Sequence, residues 1–308
     1  MNILELLNLA IRLTAPTLLV AIGGIFAAKS GIFNLGLEAF MLIGAFASVA
    51  GVYFTESVFL GIIIGMLTGI VFALIFSLFV QKLKVDPIIC AIAMLTMSSG
   101  LTRYLLIPFF GATGRYILPP QFALKTIDLG KLASIPIIGP ILNNHSAIVY
   151  ISIITPFIAH VLLYKTKFGL ELRSVGLHQE AAETFGIHIF RRINVALLLN
   201  GMLCGLAGAQ LSLSLNLFNV GMTNGRGFTA LAAMTLTGSR PIPTLFACLL
   251  FGTAEAIVLS LSGKGYPVQI LSMLPYVLAL IAAITPALIY KIKHQLSARR
   301  VKSSLAKH

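Results

Sequence analysis

Two acidic residues, Glu38 and Glu255, lie within otherwise apolar stretches of the sequence. A charged side chain at the centre of a bilayer costs on the order of 2.5–3.5 kcal/mol, so each carboxylate needs a partner or a function. Asn34 precedes Glu38 by four residues, a spacing that places both side chains on one helical face and allows a hydrogen bond. Either this pair lines a path for a polar solute, or Glu38 caps free N–H groups at a helix N-terminus. For Glu255 we favour a polar contact between helices.

The sequence has no arrangement of residues that is typical of a hydrolase, a redox enzyme or a metal site. Its six histidines form no metal-ligand spacing. Cys90, Cys204 and Cys248 each lie alone in an apolar stretch, as small core residues do. A phosphate-binding G-x-x-x-x-G-K-[ST] loop is absent, so ATP hydrolysis by the usual route is not expected on this chain. We predict no catalytic residue, no bound metal and no cofactor.

The composition is that of a membrane protein. Hydrophobic residues make up 58% of the 308 positions, charged residues only 10%, and the mean hydropathy is +0.98. A soluble domain needs about 25% charged residues to cover its surface, so lipid must solvate this one. The net charge of +13 comes from basic residues in loops and in the C-terminal tail, which argues against nucleic-acid binding. We predict an all-α, polytopic transmembrane bundle that forms a single domain over residues 1–308.

Nine apolar stretches define the predicted membrane elements. They are Leu9–Ala28, Ile32–Phe54, Val58–Val80, Pro87–Ile107, Ala147–Tyr164, Asn194–Leu217, Phe228–Thr237, Thr244–Leu261 and Val268–Tyr290. The seventh is too short to cross a bilayer unaided, so we expect irregular backbone from Asn219 to Gly227 to complete it. Glycines spaced by four, at Gly61, Gly65 and Gly69 and again at Gly201 and Gly205, predict close packing between helices.

Lys and Arg predict the orientation, because cytoplasmic loops are enriched in them. Three segments are basic: Lys82–Lys84, residues 165–194 and the tail 291–308. Even numbers of predicted crossings separate them, so all three can be cytoplasmic. The N-terminus is then outside, the C-terminus inside, and residues 108–144 form an external loop that lies as a cap on the membrane. Residues 165–194 are the most polar part of the chain, and a short helix starting near His178 and ending at Gly186 predicts a cytoplasmic docking element.

Two glycine-rich segments predict interrupted helices. Ser30–Phe46 and Asn224–Pro241 each begin with glycines, continue with a phenylalanine and a short run of small residues, and reach another glycine. In the predicted topology they run in opposite directions. An inverted pair of interrupted helices is typical of a solute site near the middle of the bilayer.

Four motifs together resemble a known family. Gly31–Phe46, Glu171–Ile187, Gly225–Met234 and Leu274–Ile284 are similar to the permeases of bacterial ABC importers in the ribose/branched-chain amino-acid superfamily. The resemblance is closest to the branch that imports nucleosides and is fed by basic-membrane-protein-type lipoproteins. It covers nearly the whole chain, and Asn34–Glu38 and Gly225–Phe228 are its most specific runs. Ala39-Phe40 departs from the Gly-Met that is usual in the family, and an extra ring there could alter substrate choice.

The resemblance implies a bacterial cytoplasmic-membrane permease, embedded in membrane lipid, whose partners are a cytoplasmic ABC ATPase, a second related permease and an external substrate-binding lipoprotein. A nucleoside is neutral and has a flat aromatic face, so aromatic rings and amide groups suffice to hold it. The residues that we expect on the substrate path are Phe33, Asn34, Glu38, Phe40, Asn216, Asn224 and Phe228. Those that we expect to couple to the ATPase are Arg173, Ser174, Val175, Gly176, Gln179, Ala181, Ala182 and Gly186. The alternatives are a sugar or riboflavin-like substrate, or an ion-coupled secondary transporter.

Overall fold

The computed structural model describes residues 3–128, 130, 138–262, 273 and 277. Within them the helices are, in chain order, α1 (Ile3–Lys29), α2 (Leu37–Thr55), α3 (Val58–Ser77, continued by a π-helical turn Leu78–Lys82), α4 (Pro87–Phe110), α5 (Ile138–Leu142), α6 (Ala147–Lys165), α7 (Lys167–Leu177), α8 (Gln179–Thr184), α9 (Ile189–Leu215), α10 (Arg226–Leu236) and α11 (Pro241–Leu261). A 3₁₀ turn covers Pro120–Phe122. The strands are β1 (Arg115–Ile117), β2 (Thr126–Ile127), β3 (His145–Ser146) and β4 (Leu217–Asn219).

Seven helices in the described part of the chain are long and apolar enough to cross a membrane: α1, α2, α3 with its π turn, α4, α6, α9 and α11. The predicted helical, multi-pass architecture is therefore confirmed. The predicted total of nine membrane elements is not confirmed. The seventh predicted stretch forms α10, which has 11 residues. The ninth stretch, Val268–Tyr290, and the tail 291–308 lie outside the described residues.

The centre of the bundle is formed by α1, α2 and α9, whose side chains are largely buried. Helices α2, α3 and α9 approach one another through the predicted glycines. A Cβ atom on Gly205 would lie 2.4 Å from the carbonyl oxygen of Gly65, and one on Gly201 would lie 2.3 Å from that of Gly69. Only glycine permits this backbone contact. In contrast, α3, α4 and α6 expose many large apolar side chains, as helices that face lipid do.

One end of the bundle, here called the β end, carries both pairs of strands. There β1 pairs with β4, and β2 pairs with β3, in each case antiparallel. Helix α5 is held against α1 because the Asn8 side-chain amide donates hydrogen bonds to the carbonyl oxygens of Pro140, Ile141 and Asn143. The opposite end, here called the α7–α8 end, carries those two short helices and the π turn.

The short helix α10 belongs to a segment that connects the two ends. At the β end, Val220 donates its backbone N–H to the carbonyl oxygen of Gly114. At the other end, the Lys29 ammonium donates to the carbonyl oxygen of Gly238. Residues 220–225 form turns, so the segment is helical only over its second part. The predicted crossing of the membrane by this element stays a prediction, because α10 is not among the seven long apolar helices.

Candidate functional site: the junction of α2 and α10

The N-termini of α2 and α10 meet at the carboxylate of Glu38. This residue lies in the first turn of α2 and is only 6% exposed. Its two oxygens accept hydrogen bonds from the backbone N–H groups of Gly225 (2.9 Å) and Gly227 (2.6 Å), at the start of α10. Glu38 therefore caps the helix opposite, and its charge is also favourable at the N-terminus of its own helix. One carboxylate neutralises the positive ends of two helices.

Gly227 allows this close approach. A Cβ atom at this position would lie 2.5 Å from the backbone nitrogen of Glu38 and 2.6 Å from its Cα atom. Both are backbone atoms, which cannot rotate away as a flexible side chain can. The glycines of the Gly225–Phe228 run therefore have a specific use here: they bring the backbone of α10 against α2.

The junction lies deep in the apolar part of the bundle. Helix α10 has 11 residues, a length of about 16 Å, which is roughly half of the ~30 Å hydrocarbon core. Its C-terminal end is followed by Gly238, which Lys29 contacts at the α7–α8 end. The first turn of α10 and Glu38 therefore lie about 16 Å from the α7–α8 end.

Asn34 does not form the predicted pair with Glu38. Residues 32–35 are not helical, so a spacing of four does not place the two side chains on one face. The Asn34 side-chain oxygen Oδ1 instead accepts a hydrogen bond from the backbone N–H of Gly36 at 2.7 Å, which shapes the turn into α2. Asn34 is 1% exposed, and its Nδ2 atom has no hydrogen-bond partner among the described residues.

The other predicted path residues fall into two groups. Phe33 and Phe228 are each 44% exposed, and Asn224 is exposed in the turn just before α10. Phe40 is fully buried, with its ring edge-on to Phe76, so it is part of the core. Asn216 caps α9 at the β end, where its amide donates to the carbonyl oxygens of Leu118 and Pro119. The structure thus gathers Glu38, Asn224 and Phe228 in one place and puts Phe40 and Asn216 elsewhere.

Glu255 forms the contact between helices that the sequence suggested. Its carboxylate is ion-paired with the Arg226 guanidinium, which joins α11 to the first turn of α10. Arg226 also donates to the carbonyl oxygen of Met222. Sequence reasoning did not single out Arg226 by itself, although its position within the Gly225–Phe228 run was a signal.

The segment predicted to couple to an ATPase forms two helices. Helix α8 and Gly186, which has a positive φ of 76°, match the predicted helix and its end. Helix α7 was not predicted. An ion pair between Glu171 and Arg192 ties α7 to α9.

The predicted coupling residues are divided between the inside and the outside of this segment. Val175 and Ala182 are buried, and a Cβ atom on Gly176 would lie 2.3 Å from the carbonyl oxygen of Lys29. Arg173 is partly buried and stacks over the Tyr164 ring at 4.9 Å. Ser174 is also partly buried, and its hydroxyl donates to the Glu171 carbonyl oxygen. The predicted residues that are exposed are Gln179, Ala181 and Gly186.

Two apolar residues that the sequence reasoning missed stand out on the exposed side of this segment. Leu177 is 77% exposed and Phe185 is 85% exposed. Large apolar side chains in the most polar stretch of a chain can be recognised from the sequence. When they are exposed, they indicate a docking surface. Beside them, a cavity of about 880 Å³ extends between α8, α9 and the start of α4.

Comparison with known proteins gives consistent matches over most of the chain. A family profile described as branched-chain amino acid transport system / permease component matches residues 6–284. The nucleoside ABC transporter permease protein NupC of Lactococcus lactis subsp. cremoris is 32% identical over 297 residues, which cover 91% of this chain and 93% of that protein. The guanosine ABC transporter permease protein NupQ of Bacillus subtilis is 33% identical over 302 residues, 92% of this chain and 93% of that protein. The ribose import permease protein RbsC of Bacillus subtilis is 32% identical over 258 residues, which cover 81% of this chain and 75% of that protein. No solved structure gives a significant match.

Proposed function

This chain belongs to the branched-chain amino acid transport system / permease component family, and from that premise we propose that it moves nucleosides into the cell across the cytoplasmic membrane of a bacterium. As a member of this family it is a multi-pass permease subunit of an ABC transporter. The nucleoside and guanosine permeases that match over nine-tenths of the chain support this substrate class.

The observation that carries the proposal is the exposed face at the start of α10. The Phe228 ring is 44% exposed, and Asn224 is exposed four residues before it. An aromatic face stacks on a nucleobase, and an amide both donates to and accepts from the edge of the base. Thr235, seven residues after Phe228, adds an exposed hydroxyl two turns along the same helical face.

The charge at the junction favours a neutral substrate. Helix N-termini that point at a mid-membrane site attract anionic groups when they are free. Here Glu38 already occupies the N–H groups of Gly225 and Gly227. A phosphorylated nucleotide would meet a fixed carboxylate at this point, whereas an uncharged nucleoside would not be repelled.

The partners and the orientation are part of the proposal. The α7–α8 end carries Lys82, Lys84, Lys165 and Lys167, which supports a cytoplasmic position for it. There the exposed Leu177 and Phe185 offer an apolar contact to a separate ATPase subunit. A second permease would complete the path along α10, and an external lipoprotein would deliver the substrate at the β end. The N-terminus, at the β end, is then outside, and the C-terminus is inside.

Uptake of radiolabelled guanosine by cells that express the complete importer tests the substrate and the path. We expect Phe228→Ala and Asn224→Ala to lower uptake at least fivefold with normal membrane insertion, and uptake to persist when the proton gradient is collapsed while ATP is maintained. Phe246→Ala is the matched control, because Phe246 is 64% exposed on α11 and lies outside the junction. Uptake of ribose but of no nucleoside would reject the nucleoside assignment.

Labelling of an introduced cysteine tests the orientation and the ATPase contact together. Gln179 is exposed on α8, whereas Cys90, Cys204 and Cys248 are all buried and give little background. We expect Gln179→Cys to react with an impermeant thiol reagent in inside-out vesicles, and addition of the ATPase to protect it. Reaction from outside intact cells would contradict the orientation, and labelling unchanged by the ATPase would contradict the docking surface.

A further inference from the structure

A second cavity, of about 360 Å³, lies between α1, α9, α10 and α11. It is separate from the exposed face of α10. Arg226 lines this cavity, and Phe228 follows it by two residues, a rotation of about 200° around a helix. The two side chains therefore project from opposite sides of α10, so the proposed substrate face and this cavity are distinct sites.

Among the described residues that line the cavity, one positive charge has no opposite charge beside it. The Arg226 guanidinium and the Glu255 carboxylate line it, and they neutralise each other as an ion pair. Arg12 is the remaining charge. Its guanidinium donates to the backbone carbonyl oxygen of Ser214 at 3.2 Å, and no carboxylate of the described residues lies within ion-pair distance of it.

A buried donor inside the cavity also lacks an acceptor. The Nε–H group of Arg226 is buried and has no hydrogen-bond partner among the described residues. A buried polar group without a partner is rare in proteins and commonly marks a place where a ligand or water belongs. The adjacent wall is polar at Gln210, which is 2% exposed. The cavity thus offers hydrogen-bond donors to an anionic or oxygen-rich group.

The rim of the cavity is apolar and faces outward. Leu215 is 54% exposed and Leu259 is 52% exposed, each near the β-end terminus of a membrane-crossing helix. Glu255 lies 14 residues after Pro241, where α11 begins at the α7–α8 end, which corresponds to about 21 Å along the helix. In a hydrocarbon core of ~30 Å, the cavity therefore extends from the boundary at the β end down into the apolar layer.

We propose that this cavity binds an anionic phospholipid from the leaflet at the β end. The phosphate group accepts hydrogen bonds from the Arg12 guanidinium at the membrane boundary, and one acyl chain lies along Leu215 and Leu259. A basic side chain above an apolar wall at this depth matches the phosphate and the chain of the same molecule. A nucleoside has no charge to pair with Arg12 and no chain to cover the exposed leucines. The site does not depend on which solute is transported.

The test measures lipid binding to the purified, detergent-solubilised protein by native mass spectrometry and by thermal shift. The probes are phosphatidylglycerol, phosphatidylcholine with the same chains, inorganic phosphate and guanosine. We expect a preference for phosphatidylglycerol over phosphatidylcholine that falls about fivefold in Arg12→Gln, the effect of about one basic group at a membrane surface. Arg12→Lys should keep most of the preference, since the charge remains. Arg115→Gln, which removes an exposed arginine at the same end but outside the cavity, should leave it unchanged.

Four results would overturn the proposal. An unchanged preference in Arg12→Gln would show that this charge does not select the lipid. An equal loss in Arg115→Gln would indicate a general surface effect. Stabilisation by inorganic phosphate alone, abolished by Arg12→Gln, would make the site one for a free anion. Stabilisation by guanosine that disappears in Arg12→Gln would assign the cavity to substrate.

Discussion

Replacement of Glu38 by glutamine tests the junction of α2 and α10 most directly. The carboxylate accepts from the N–H groups of Gly225 and Gly227 with its two separate oxygens. Glutamine has the same shape but only one acceptor oxygen, and its NH₂ group would face one of these N–H donors. A simple helix cap would tolerate the change, but this arrangement would not, because a donor then meets a donor in a buried site.

The magnitude follows from the contacts. A hydrogen bond to a charged group contributes roughly 1.5–3 kcal/mol, and one of the two is lost. The charge at a helix N-terminus contributes a further 0.3–1 kcal/mol or so. We therefore expect the free energy of unfolding to fall by about 2–4 kcal/mol. With a shift of about 2–4 °C per kcal/mol for domains of 150–250 residues, the melting temperature should drop by roughly 4–16 °C.

The assay is thermal unfolding of the purified protein in detergent, beside guanosine uptake in cells. Glu56→Gln is the matched control, because Glu56 is exposed at the other end of the same helix and should shift the melting temperature by less than about 1 °C. Uptake should fall with the Glu38→Gln change, since α10 carries Phe228. If Glu38→Gln melts within about 1 °C of the wild type, the reasoning from the two hydrogen bonds is refuted.

Two further predictions concern packing and pH. Gly227→Ala should lower the free energy of unfolding by about 1–3 kcal/mol, because its Cβ atom would meet the backbone of Glu38. The control is Gly100→Ala, because a Cβ atom there would have no atom within 4 Å, and this change should leave the free energy of unfolding unchanged or raise it. Both values are measured by chemical denaturation, and an equal loss of stability in the two variants would contradict the packing argument. Burial lowers the pKa of the His145 imidazole at the β end. The unfolded chain then binds the proton more readily than the folded chain. The free energy of unfolding should therefore keep its full value above pH ~6.5 and decline below it by at most ~1.4 kcal/mol per pH unit. The melting temperature of His145→Gln should depend less on pH between 5 and 8, and an unchanged slope would exclude His145 as the cause.

The sequence indicated that Glu38 needs a partner, because a carboxylate in an apolar stretch of a membrane protein is costly. It also singled out the Gly225–Phe228 run, as part of an interrupted helix, but it did not link this run to Glu38. The structure makes each the partner of the other. The pairing of Asn34 with Glu38 failed because it assumed a helix through residues 32–35, where the chain is not helical.

The burial of individual residues within a segment was harder to predict than the existence of the segment itself. The sequence indicated a docking element at residues 165–194, and small residues suggested a surface that fits a partner groove. In the structure Val175, Gly176 and Ala182 face inward, and the absence of a side chain at Gly176 allows α7 to pack on the end of α1. Small residues suit both a groove in a partner and a contact within the chain, and only tertiary contacts distinguish the two.

The sequence by itself determined the helical, multi-pass membrane architecture and the family, because these depend on hydropathy and on motifs that are local in the chain. Only the tertiary structure decided which residues meet. Glu38 and Gly227 are 189 positions apart, and Glu255 finds Arg226 on a different helix. Phe40 and Phe228 both lie close to the start of a helix, yet one is buried and the other exposed. The physical reason is that apolar residues suit both lipid and protein core in a membrane, so their type alone does not fix the side of the helix that faces a neighbour.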